Sequence, residues 1–169
     1  MHLQYAQLIA NYCFQLKSGD KLLIRSTYLA EPFLAALYTE FLKQGVLVEF
    51  DCAFKDQERL FYESASNEAL DHISDRYCHA IDTYQGILNI NASFDLDALK
   101  DIPLEKKRRR QEAMSAIKKR FMERSSKGEL QWNICIYPTQ TLADKAEMSL
   151  ADYQNFVYSA CGLHETDAI

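Results

Sequence analysis

The chain has 169 residues, of which 48% are hydrophobic and 25% charged, and its formal net charge is −5. That length suits one domain able to bury about two-thirds of its unfolded surface, and the composition is that of an ordinary globular protein. No run reaches the roughly 18–20 apolar residues of a membrane helix, the N-terminus lacks the basic and apolar regions of a signal peptide, and the acidic balance argues against nucleic acid as a partner of the whole chain.

Residues 3–16 place Tyr5, Leu8, Ile9, Tyr12 and Leu16 on one helical face. Ser18-Gly19-Asp20 ends that helix, because Gly accepts the left-handed conformation that closes one. Lys21-Leu22-Leu23-Ile24-Arg25 reads as a strand, and Glu31-Pro32 opens a helix with Pro where its missing N–H costs nothing. Gly45 closes it, and Val46-Leu47-Val48-Glu49-Phe50 is a second strand, completing a βαβ unit with parallel strands. Residues 55–82 predict two or three helical pieces, with Ser66 as a cap. Gly86–Asn91 is a third strand. Pro103 starts a long helix to about Arg124, with Ala113, Met114, Ile117 and Phe121 as its buried stripe. Trp132–Ile136 is the fourth strand, followed by helices over Gln140–Glu147 and Leu150–Ala160, the second capped by Ser149.

The alternation predicts an α/β fold, a three-layer domain with a mainly parallel sheet of about four strands flanked by helices. Residues 1–162 form this single domain, and the polar, aperiodic stretch 163–169 reads as the start of an interdomain linker. Five cysteines (Cys13, Cys52, Cys78, Cys135, Cys161) without a Cys-x-x-Cys pair predict buried free thiols and a cytoplasmic location.

Ligands of open parallel sheets bind beyond the carboxyl ends of the strands. Here those loops are Ser26–Glu31, Asn91-Ala92-Ser93 and Tyr137-Pro138-Thr139, and none contains glycine. That disfavours dinucleotide or NTP binding, which needs Gly where backbone meets phosphate. Thr27 and Glu31 are the residues placed to line a cleft, with helix capping as the alternative. His72, Asp75, Cys78 and His79 are the one cluster of metal-ligand types. On a single helix His72 and His79 stand about 10 Å apart along the axis, too far for one zinc, so a surface ion pair between Asp75 and His79 is expected instead. The run Lys106–Arg110, with Lys118-Lys119-Arg120, winds round a helix instead of forming one face. Glu105, Glu112 and Glu123 stand near enough to pair with it, which predicts a solvated helix or one meeting an acidic partner.

Several segments, in order from about residue 3 to residue 163, resemble the thermophilic aminopeptidase family, the metallo-aminopeptidases of the aminopeptidase T and aminopeptidase S type. The distinctive pair is Gly19-Asp20-Lys21-Leu22-Leu23-Ile24-Arg25-Ser26-Thr27 with Leu29-Ala30-Glu31-Pro32, and Tyr137-Pro138-Thr139 with Met148-Ser149-Leu150-Ala151-Asp152-Tyr153-Gln154-Asn155-Phe156-Val157; Tyr5–Ile9 with Asn11-Tyr12, Leu16–Ser18, Trp132–Ile136 and Ala146-Glu147 match as well. The resemblance is to the family's N-terminal domain. It implies a homodimeric enzyme that removes N-terminal residues from peptides with two divalent metal ions (zinc, cobalt or similar). It places the metal ligands in a C-terminal domain absent from this chain, so no residue here is catalytic and none binds metal. The expectation is an inactive N-terminal domain that shapes access to the metal site and supports dimerisation. The alternative is a non-catalytic binding module using helix 103–124 to contact nucleic acid or an acidic partner.

Overall fold

Four short apolar runs build one sheet. In the computed structural model, which describes residues 1–163, the strands are Lys21–Thr27 (β1), Leu47–Ala53 (β2), Gly86–Asn91 (β3) and Gln131–Ile136 (β4). Every pairing is parallel, in the order β2-β1-β3-β4, so β2 and β4 are the edges. Arg25 lies opposite Asp51 on one side and Asn89 on the other.

Strand side chains alternate between faces, and two cores result. Leu22, Ile24, Leu88 and Ile90 face one side, under His2–Leu8 (α1) and Glu31–Lys43 (α2), with Phe33, Leu37 and Phe41 fully buried there. Leu23 and Ile87 face the other, under Asp75–Thr83 (α5) and Ser115–Ser126 (α7), with Ile81, Tyr84 and Ile117. These are the three layers expected. Between β2 and α5 lie Gln57–Ser64 (α3) and Asn67–Asp71 (α4). Ser66 caps α4 through Ala69 N–H at 3.3 Å. Gln140–Lys145 (α8) and Leu150–Ala160 (α9) close the described chain, with Ser149 accepting from Asp152 N–H at 3.1 Å. Leu163 N–H returns to the Tyr158 carbonyl at 3.0 Å. The rest of the expected linker, 164–169, lies outside the described residues.

Two helices depart from the expected pattern. After α1 the chain runs through a π-helical turn, Ile9–Cys13. A π turn takes an extra residue per revolution, so Ile9 and Phe14, one such turn apart, share the buried face. Tyr12, expected on that face, is 74% exposed. The long basic helix is two: Leu104–Ala113 (α6) and α7, broken at Met114. Of its expected stripe Ile117 is buried, while Met114 and Phe121 pack partly buried against the second core. The cysteines are all free, but only Cys135 is buried and Cys52, next to the last residue of edge strand β2, is exposed.

Candidate functional site

The carboxyl ends of the strands are cross-braced by hydroxyls. Thr27, at the end of β1, donates through Oγ1 to the Ala92 carbonyl at 2.7 Å. It occupies a cap position yet makes no side-chain cap bond, so its hydroxyl ties β1 to the loop after β3 instead of closing a helix. Thr139 and Thr141, beyond β4, donate to the carbonyls of Ser93 (3.0 Å) and Phe94 (2.7 Å). Tyr28 packs on Phe94, ring centroids 4.7 Å apart. Glu31 lies exposed in the first turn of α2, where a negative charge complements the helix N-terminus.

A cavity lies elsewhere. A crevice of about 580 Å³ opens over the face of β1 and β2, between α3, α5 and α6. Neither Thr27 nor Glu31 lines it. Arg25 crosses from β1 to Asp51 on β2 (Nε to Oδ2, 3.1 Å) and lies over the Tyr77 ring at 4.6 Å. Arg76, from α5, donates to the Phe50 carbonyl. Arg110, from α6, donates to the carbonyls of Leu70 and His72 and stacks over Phe61 at 5.3 Å. Glu58 and Tyr62 add to the polar lining, with Leu23, Ile73 and Met114 in the apolar part. The sequence places Arg110 in the basic run and Met114 in a buried stripe, but nothing in it brings these residues to one crevice. One signal is present: Arg25 follows the apolar run Leu22-Leu23-Ile24, and a charge within an inner strand of a parallel sheet needs a reason.

The metal-ligand types do not converge. His72 follows the end of α4, whereas Asp75, Cys78 and His79 belong to α5, so the first histidine is not on the same helix as the last. His79 Nε2 lies 3.3 Å from Thr83 Oγ1, and among the described residues no Asp75–His79 ion pair forms. No group of three or more His, Cys, Asp or Glu able to hold a metal occurs among the described residues. The described side chains therefore do not by themselves fit the metal centre the resemblance implies.

The basic helices are tied down by neighbours distant in sequence. Lys106 Nζ donates to the Tyr62 carbonyl at 2.6 Å, Lys107 to that of Leu99, and Arg109 forms a two-bond pair with Asp71. Arg124 is buried and donates to the carbonyls of Ile81 (2.7 Å), Tyr84 (2.9 Å) and Glu129 (3.0 Å). The last carbonyls of a helix have no partners within it, and cations near that end are favourable. The two basic helices thus serve α3, α4 and α5 as external C-terminal caps, with Lys106, Arg110 and Arg124 as the donors.

Burial dominates the titration of the interior. Burial, then the Glu49 carboxylate accepting its hydroxyl, pushes the Tyr84 phenol up to about 12. Burial likewise pushes the Cys135 thiol up to about 12, a poor nucleophile at neutral pH.

A family model described as thermophilic metalloprotease (M29) matches residues 2–169. The chain belongs to this family. Among solved structures, "Wild-type AmpT from Thermus thermophilus" is similar at 20% identity with a TM-score of 0.74. The match covers 95% of this chain and 42% of that one, so the chain spans less than half the length of that relative. The shared feature is the fold. No curated protein matches.

Proposed function

We propose that this chain is the N-terminal domain of a cytoplasmic, metal-dependent aminopeptidase acting on peptides. Residues 1–162 form the domain, 163–169 lead towards the part that carries the divalent metals (zinc, cobalt or similar), and Thr27 and Glu31 on the strand-end rim line the approach to that centre. The observation that carries this reading is the family match over residues 2–169. The fold shared with AmpT supports it.

The test is direct. The pure chain, supplied with Zn²⁺ or Co²⁺, is expected to leave aminoacyl-nitroanilides intact. Chelator-sensitive hydrolysis by the chain itself would overturn the domain assignment.

A homodimer belongs to the same proposal, and edge strand β4 supports it. Trp132, Ile134 and Ile136 share one exposed face of β4, and the strand carries no charge to discourage edge pairing. Ile134→Lys is expected to shift sedimentation from dimer towards monomer while leaving the circular dichroism spectrum intact. A dimer that ignores the lysine would remove β4 from the interface.

A further inference from the structure

We infer that the crevice between β1, β2, α3, α5 and α6 is a binding site for the carboxylate of a small apolar residue, as borne by a free amino acid or by a peptide C-terminus. The inference goes beyond the peptidase reading and does not depend on it.

Three arginines from three separate elements, Arg25, Arg76 and Arg110, line one crevice of about 580 Å³. Each guanidinium has five N–H donors, and the protein uses only part of them. Arg25 spends Nε on Asp51, Arg76 spends Nη2 on the Phe50 carbonyl, and Arg110 spends Nη1 on Leu70 and His72. Among the described residues the remaining donors have no protein partner. Two of the guanidinium planes are also held by aromatic rings, those of Tyr77 and Phe61. Orientation of the forks is therefore largely set before a ligand arrives, which lowers the ordering cost of binding.

The charge balance selects the anion. Three arginines face Asp51 and Glu58 across the lining, an excess of one positive charge. A carboxylate carries one negative charge and matches the guanidinium fork in two parallel hydrogen bonds. A phosphate carries about −1.5 to −2 at neutral pH and would meet two resident carboxylates. Phe61, Tyr77, Leu23, Ile73 and Met114 give the body of the ligand an apolar surface. Glu58 makes no ion pair among the described residues, which leaves its carboxylate for the ammonium of a free amino acid.

The test uses the full chain in ¹⁵N-edited NMR titrations with three probes: L-phenylalanine, N-acetyl-L-phenylalanine and N-acetyl-L-phenylalaninamide. Both carboxylates are expected to shift crevice resonances, with the amide at least about 10-fold weaker, a difference of about 1.4 kcal/mol. Tighter binding of L-phenylalanine than of its acetyl form points to the free amino acid, and the reverse to a peptide end. Arg76→Gln should weaken both carboxylates several-fold. Asp51→Asn, which frees Arg25 and removes a negative charge, should tighten them, an effect general loss of structure would not produce. Equal binding of the amide, saturation by none of the three, or no tightening in D51N would overturn the inference. Phenyl phosphate binding more tightly than either carboxylate would overturn the choice of anion.

Discussion

Arg124 Nη1 lies 2.9 Å from the carbonyl oxygen of Tyr84, joining α7 to the end of α5 from 40 positions away. The same nitrogen reaches Ile81, and the side chain is buried. Replacing it leaves buried carbonyls without donors, each costing about 1–3 kcal/mol. Arg124→Met is expected to destabilise the fold by about 3 kcal/mol in urea unfolding. Lys118→Ala, on an exposed residue of the same helix, should change stability by less than about 0.5 kcal/mol.

The π turn after α1 fixes which aromatic residue is inside. Phe14 is 2% exposed and meets Phe41 edge-on at 5.9 Å, whereas Tyr12 is 74% exposed. Phe14→Ala should cost about 3–5 kcal/mol, and Tyr12→Ala less than about 0.5 kcal/mol. Unfolding curves in denaturant separate the two registers, since a continuous α-helix would reverse the order.

Gly45 closes α2 at φ +77°, and a Cβ there would stand 2.4 Å from Ser18 Oγ. Gly128 has a similar φ of +72° with open space around it. Gly→Ala at either position pays the left-handed strain of about 1 kcal/mol, but only Gly45→Ala adds the collision. Its melting temperature should therefore fall further than that of Gly128→Ala. Combining it with Ser18→Gly should recover the difference and leave the common part.

Tyr84 gives the interior a pH dependence. Its phenol is raised to about 12 in the folded state, against about 10 in an unfolded chain. Folding therefore favours the protonated form. That contribution is complete below pH 10 and is lost as the pH rises from 10 through 12. Difference absorption between wild type and Tyr84→Phe should show one phenol titrating near 12, and Y84F should lose a smaller share of its stability over that interval.

The sheet was legible in the sequence because each strand is a short apolar run bounded by Gly, Pro or polar residues. Gly86–Asn91 was read to the residue, and the Ser66 and Ser149 caps follow from local spacing. The basic helix was read as solvated or partnered because spacing rules reach only three or four residues. Most of its partners are main-chain carbonyls about 40 positions away, which carry no residue signature. The crevice stayed hidden for a related reason: its walls come from β1, β2, α3, α5 and α6, and no single segment holds two of its arginines. Thr27 ends β1 and Glu31 lies in the first turn of α2; of the two roles open to the Thr27 hydroxyl, helix capping is not the one it takes, because it spans to Ala92.

The loop Ala92-Ser93-Phe94 accepts three threonine hydroxyls, one from the end of β1 and two from beyond β4. It is the keystone of the rim, so lengthening it would unseat both flanking loops together. The turn at Gly128, exposed and with open space around it, has no such tenants. A fluorescent label or an inserted peptide belongs there, at the end of the sheet away from the rim.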